Sequence, residues 1–521
     1  MILISDKKNS NFRVWICVRK TFQNVLKWIK IRKNRNNETP LVKGVSLFSR
    51  SLGSLKVETQ NPPGFKPLRV QVSPPVPANN KAFNVFVGSL FVLLTTDSNQ
   101  TAIETKQISL TKLYLLLLWN NKLQLRRIYG VNSSIMEANM RYIDRNFQLP
   151  ENHFFLLGPR GTGKSTLLKN HFKDALYIDL LQTDNFRKYS ARPERLTEVV
   201  NAHAEKKIII IDEIQKVPDL LSIIHSLIEK HDGRMYIMTG SSARKLRKQG
   251  TNLLAGRAYK KIMYPFTAME LKKSFNLIDA LKYGMLPVIL NSPDKNEALN
   301  AYVDLYIKEE VMMEGLTRNI GAFTRFLEAV SFSHGSILNI VNIARECQVG
   351  RKLVEAYIRI LEDLMIAWRM PVFSKRAKRQ LTVHPKFYFF DTGMYRKLRP
   401  SGSLDTPEEI EGVALEGLVL QNIKAALPSI DDTANIYFWR TKSGSEVDFI
   451  IYGDVIFTAI EVKSSRTIRP KDLRSLKSFK TDYPTSNSII LYRGKERFIR
   501  DDILIIPCEE FLMDMQGQFK I

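Results

Sequence analysis

HFFLLGPRGTGKST, residues 153–166, decides the fold of this chain. Phe154 to Leu157 is an unbroken apolar run, the pattern of a strand buried on both faces, and STLLKNHF opens a helix. Between them GPRGTGKS fits G-x-x-x-x-G-K-[ST] through Gly158, Gly163, Lys164 and Ser165. A strand, a Gly-rich loop and a helix in that order predict a phosphate cradle. Gly158, Pro159, Arg160, Gly161, Thr162, Gly163, Lys164, Ser165 and Thr166 are its expected lining. The loop curls its backbone N–H groups round phosphate oxygens, and the helix start adds a positive dipole end. Lys164 offsets the β/γ charge, and Ser165 offers a hydroxyl to Mg²⁺. The cofactors expected are therefore ATP and Mg²⁺.

Reading outward, ALYIDLL, KIIIIDEI and RMYIMTGSS are further strands separated by amphipathic helices, so a parallel sheet covered on both faces is expected. IIIIDEIQ ends with two acids. Asp212 is placed to complete the magnesium shell, and Glu213 to orient and deprotonate the attacking water. Ser241 and Thr239 end the next strand, where a polar sensor of the γ-phosphate would sit. Arg257 precedes the helical region; it reads either as an arginine finger, in cis or on a neighbouring subunit, or as a salt-bridged surface residue. The finger reading makes a homo-oligomer a candidate partner.

The chain has 521 residues, 44% hydrophobic and 25% charged, which predicts a multidomain globular protein. Its net charge of +26 is uneven. Residues 1–135 hold 21 Lys and Arg against 5 Asp and Glu, leaving 57 against 47 for the rest. That first segment is basic, then Pro-rich, and reads as a poorly ordered extension or as upstream sequence from a misplaced start, with Met136 or Met140 the true beginning. Its apolar runs of about twelve and seven residues fall short of the roughly twenty a membrane span needs, so no stable membrane insertion is expected. Three scattered cysteines form no ligand spacing and suggest a reducing, cytoplasmic setting.

Past residue 265 the pattern turns helical. LNIVNIARECQVG and RKLVEAYIRILEDLMIAW, followed by strand-like MPVF, have the order of a winged helix-turn-helix. Arg351, Lys352 and Arg359 lie on its candidate recognition helix, and Lys375, Arg376, Lys378 and Arg379 follow. They could contact DNA phosphates or form a solvated face of a packing module.

GPRGTGKST, IIIIDEIQKVPDLL, TGSSARKL, LAGRAYKKIMYPFTAMEL, YGMLP, PKFYFFDTG, EGLVLQNI, SGSEVDF and IEVKSS together make the chain resemble a known family. It is that of the AAA-type ATPases of bacteria and archaea whose C-terminal domain of unknown function has a restriction-endonuclease-like core. The resemblance runs from about residue 137 to 515 and implies ATP binding, hydrolysis and a link to DNA. Nuclease cores of this PD-(D/E)xK type place two acids and a lysine on adjacent strands. Asp448, Glu461 and Lys463 have that order, although no proline precedes Asp448, and Glu416 on the preceding helix is the candidate further acid. Asp448, Glu461 and Glu416 are thus candidate Mg²⁺ ligands, with Lys463 beside the attacking water. The same groups could equally pair with one another in a scaffold that does not cut.

The expected fold class is α/β: a P-loop NTPase parallel sheet (136–265), a helical lid (266–320), a winged helix-turn-helix (321–375) and a restriction-endonuclease-like α/β domain (376–521), after the extension 1–135. The expected function is an ATP-hydrolysing AAA-type protein coupling nucleotide state to a nuclease-like, DNA-associated domain. The alternative is a non-cleaving, nucleotide-gated DNA-binding or regulatory protein.

Overall fold

A computed structural model describes residues 142–242, 256–307, 319–375, 377, 379–403 and 405–519, with five short strands in the first 72 residues. Those strands belong to a separate unit, Met1–Asn139, in which Ile2–Asp6 pairs antiparallel with Arg13–Cys17. The remainder of the expected extension lies outside the described residues, as do Arg376 and Lys378.

The second unit begins with a five-stranded sheet: β1 (Phe154–Leu157), β2 (Leu176–Asp179), β3 (Ile208–Asp212), β4 (Met235–Gly240) and β5 (Tyr259–Ile262). Their order is β5-β1-β4-β3-β2, and every pairing is parallel. Strands buried on both faces must be apolar throughout, and Phe154–Leu157 and Ile209–Ile211 are at most 1% exposed. Because β4 runs between β1 and β3, its C-terminal end separates the Gly-rich loop from Asp212 and Glu213. The edge strand β5 was not foreseen in the sequence. Tyr259 and Lys260 are exposed, so it lacks the apolar run that betrays a central strand.

Three helices follow the short helices of residues 268–301: α2 (Ile320–Ser331), α3 (Ile340–Glu346) and α4 (Arg351–Asp363), where α1 is Lys164–His171 after the Gly-rich loop. They accompany a small antiparallel sheet of β6 (Ser336–Ile337), β8 (Lys386–Phe389) and β7 (Ala367–Met370), in that order. Helix α4 stops at Asp363 and Met365 turns left-handed at φ 57°, so β7 starts three residues before the MPVF segment read as strand. More consequentially, β8 was read as the opening of the C-terminal domain. It is instead the central strand of this sheet, and the expected boundary at 375/376 falls between β7 and β8, dividing the sheet.

Helix α5 (Thr392–Leu398) is capped by Asp391, whose carboxylate accepts from the N–H groups of Gly393 (2.9 Å) and Met394 (3.2 Å). It also accepts from Met285 N–H at 2.7 Å, so FDTG and YGMLP, distant in sequence, dock on one another. Burial pushes this carboxyl up to about 6 against those three donors. Helix α6 (Pro407–Ala426) is buried on more than one side along its middle: Ala414, Leu415, Leu418, Val419, Leu420 and Ile423 are all buried. A helix of that kind must be enclosed. It leads into a six-stranded mixed sheet of β9 (Asn435–Arg440), β10 (Glu446–Tyr452), β11 (Phe457–Lys463), β12 (Asn487–Tyr492), β13 (Phe498–Arg500) and β14 (Ile503–Pro507). The order is β9-β10-β11-β12-β14-β13; β9 to β11 are antiparallel neighbours, whereas β11-β12 and β12-β14 are parallel. Helix α7 (Arg474–Asp482) makes the crossover between β11 and β12. Among the described residues no helix is long and apolar enough to cross a membrane.

Candidate functional site

The Gly-rich loop leaves β1 at Gly158, whose φ is 157° and where a Cβ would stand 2.3 Å from the carbonyl oxygen of Met263. Only glycine fits so close to β5's continuation. Lys164 is buried at the first position of α1, with its ammonium bonded to the carbonyls of Gly158 (2.7 Å) and Pro159 (3.1 Å). Thr162 braces the loop through Pro159 (2.8 Å), and Tyr302 donates to the Arg160 carbonyl at 3.0 Å.

The ends of β3 and β4 face this loop as one hydrogen-bonded set. Thr239 Oγ1 donates to Asp212 Oδ1 and accepts from Glu213 N–H at 2.9 Å. Ser241 Oγ donates to Glu213 Oε2 at 3.1 Å and accepts from Gln215 Nε2 at 2.8 Å; Gln215 Nε2 also donates to Glu213 Oε2. Glu213 sits in the left-handed region at φ 61°, ψ 48°, a conformation costing a side-chain-bearing residue about 1–3 kcal/mol. These bonds hold it there. The phenol of Tyr177 on β2 donates to Asp212 Oδ2 and is itself hydrogen-bonded by Ser165. Burial first, and the Asp212 charge second, push that phenol well up. The Tyr177 phenol thus links Ser165 to Asp212, and the hydroxyl and carboxylate oxygens it brings together are of the kind a hard cation such as Mg²⁺ takes.

Arg145, which the sequence reading passed over, ties this site to its surroundings. Its guanidinium donates to the carbonyls of Thr162 (2.9 Å) and Tyr264 (2.8 Å), pairs with Glu270 (2.8 Å) and lies 4.7 Å over the Phe266 ring. Arg257 is placed elsewhere. It precedes β5, which runs parallel to β1 with Tyr259 opposite Phe154, so it lies at the sheet edge opposite the Gly-rich loop. There it pairs with Glu229 on the surface. The geometry therefore does not bring Arg257 to the phosphate loop of its own chain.

In the C-terminal sheet, Phe449 pairs with Ile460, and the next positions along the ladder are Asp448 and Glu461. They share one face of adjacent strands, and Asp448 Oδ2 accepts from Val462 N–H at 2.9 Å. Lys463 points to the same side and pairs with Glu461 Oε1 at 2.6 Å. Glu416 of α6 reaches the same cluster through Lys386. What the sequence did not signal is Lys386 of β8. Its ammonium lies 3.1 Å from Glu416, 2.5 Å from Glu446 and 3.4 Å from Asp448. Tyr388 of the same strand donates to Glu416. Burial, then the Asp448 charge, push Glu416 up to about 7 and Glu461 to about 8. In this arrangement the acids do not fit a divalent ion: among the described residues no three of them are grouped to hold a metal, and a lysine stands between them.

The basic residues assigned to DNA divide. Arg351, Lys352 and Arg359 are exposed on α4. Arg379 instead pairs with Asp482 (3.1 Å), and the Lys375 ammonium lies 4.2 Å from the Tyr452 ring centre.

Residues 151–272 match the AAA domain family, residues 274–405 the domain of unknown function DUF8612, and residues 411–511 the domain of unknown function DUF4143. An uncharacterized protein of Mycobacterium tuberculosis is 25% identical over 368 residues, covering 68% of this chain and 80% of its own. One from Haemophilus influenzae is 21% identical over 358 residues, covering 62% and 88%. Among solved structures, AMPPCP-bound DnaA from Aquifex aeolicus aligns with 40% of this chain and 81% of its own at 16% identity and a TM-score of 0.21. The Pif1 helicase from Candida albicans aligns with 29% and 43% at 14% identity and a TM-score of 0.17. Scores this low carry no weight beside the loop and sheet described above. The matched AAA domain, the Gly-rich loop and the all-parallel sheet together support an AAA-type, ATP-binding α/β domain of the P-loop NTPase fold in the first part of the second unit.

Proposed function

We propose that this protein is a Mg²⁺-dependent ATPase that couples its nucleotide state to a nuclease-like, DNA-associated C-terminal domain. One observation carries the ATPase reading: Glu213 is held in a left-handed conformation by Thr239, Ser241 and Gln215, beside Asp212 and across β4 from Lys164. Binding alone would need no such carboxylate. When bound, magnesium would supply positive charge to the phosphate oxygens, held by Ser165 and Asp212. Lys164 releases the loop carbonyls to reach the β/γ oxygens, Glu213 orients water and accepts its proton, and Ser241 senses the γ-phosphate. An arginine finger at Arg257 is compatible with this geometry only between copies of the chain.

The order α6-β9-β10-β11-α7-β12, with three acids and a lysine at one end of the central strands, supports the nuclease-like assignment. The three helices α2 to α4 with the sheet β6-β8-β7 support the winged-helix reading, with exposed Arg351, Lys352 and Arg359 available to DNA phosphates. Lys386 inside the acid cluster favours a second reading, in which the C-terminal domain binds nucleic acid without cutting it.

The test is DNA binding and cleavage by the full chain with ATP, with AMPPCP and without nucleotide. Coupling predicts that affinity for DNA differs between ATP-bound and free protein. Equal affinity in all three states would contradict it, and cleavage would decide between the two readings.

A further inference from the structure

Lys386 is 1% exposed, yet it carries a charge into the interior. Isolated ions are not tolerated there, and this one is ringed by carboxylates of α6 and β10. Next to it Glu461 is 6% exposed. One of its oxygens, Oε1, accepts a hydrogen bond from the Lys463 ammonium; the other, Oε2, has no hydrogen-bond partner among the described residues. A buried carboxylate oxygen left bare is costly unless something binds it. It belongs to the strand face that also presents Asp448.

The donors here are all carboxylate oxygens, the chemistry of a hard divalent cation. Two ammoniums stand there instead: Lys463 of β11 itself on Glu461, and Lys386, which comes from a different sheet, on Asp448. Strand β8 pairs with β6 and β7, so the place of Lys386 is set by that sheet. An ammonium and a divalent ion inside one ring of acids repel strongly, so only one of them can be there. We infer that Lys386 is a built-in cation holding the place of a divalent metal, and that Asp448 and Glu461 become a divalent-cation site when its ammonium is withdrawn. This rests on the nuclease-like reading of the C-terminal domain proposed above. It adds a specific device: the small sheet beside α4 controls whether that domain can take metal.

The experiment titrates nucleotide-free full chain with Mn²⁺ and follows the signal of free Mn²⁺ by electron paramagnetic resonance. The proteins are wild type, Lys386→Met and Lys386→Met/Glu416→Gln, each with and without Asp448→Asn. The double variant removes one acid together with the lysine, so the cluster keeps its net charge and the decision does not hang on whether Lys386→Met folds. Both Lys386 variants are expected to bind one Mn²⁺ about tenfold or more tightly than wild type. Asp448→Asn should abolish that gain, while leaving any Mn²⁺ held at Ser165 and Asp212 untouched. A wild-type protein that already binds one Asp448-dependent Mn²⁺ as tightly would overturn the place-holding role and leave the metal reading of the domain standing. If no variant that folds gains an ion, both fall.

Discussion

Replacing Arg145 with Met tests whether the phosphate loop is braced from outside its own motif. The guanidinium and the Glu270 carboxylate are 6% and 3% exposed, so this is a buried pair rather than a surface one. Removing one partner of such a pair costs about 3–5 kcal/mol, because the other charge stays behind. Glu270 would keep the N–H donors of Asn146 (2.9 Å) and Thr267 (2.8 Å), which puts the expected loss at the low end, about 3 kcal/mol. The carbonyls of Thr162 and Tyr264 would also lose their donor, so the loop should loosen and ATP affinity should fall with stability. Urea unfolding of the full chain measures the first effect, read on the transition that ATP shifts, since a multidomain chain need not unfold in one step. The Arg145→Met/Glu270→Gln double variant should recover part of the loss. A cost below about 1 kcal/mol, the value of an exposed ion pair, would refute the reasoning.

Three further outcomes are expected. Lys164→Ala removes the charge opposite the β/γ phosphates and should abolish tight ATP binding in a fluorescent-nucleotide titration. At Gly417 a Cβ would stand 2.4 Å from His334 Nε2, and that ring is stacked on Tyr395 at 4.2 Å, so Gly417→Ala should destabilise by about 1–3 kcal/mol in thermal unfolding. Glu461 binds its proton more tightly folded than unfolded, its carboxyl being pushed from 4.5 up to about 8 by burial and the Asp448 charge. Its contribution is therefore fully present below about pH 4.5 and is lost as pH rises towards about 8. Thermal midpoints of wild type should fall across that window relative to Glu461→Gln; parallel curves would contradict the assignment.

How much of this was legible in the sequence depended on how local the signal was. The loop, Asp212, Glu213, Thr239 and Ser241 follow buried strands whose apolar runs fix where they end, so spacing alone placed them. Glu461 and Lys463, two residues apart on one strand, share a face by strand periodicity, whereas Asp448 was set beside them through the family resemblance. Arg145 was not legible: it lies 125 residues from Glu270, and nothing near it in sequence announces a partner. Tyr177 and Gln215 read as an ordinary strand residue and a turn residue until β2, β3 and β4 are set side by side. Lys386 escaped for a further reason. In PKFYFFDTG a lysine ahead of four aromatics looks like the polar start of a strand, whereas pairing with β6 and β7 drives it inward against α6.

The most direct test of the central claim is ATP turnover by Glu213→Gln, measured beside its ATP affinity. The account predicts wild-type-like binding with hydrolysis reduced at least a hundredfold, because the carboxamide still accepts the Ser241 hydrogen bond but takes no proton from water. Turnover at the wild-type rate would contradict it.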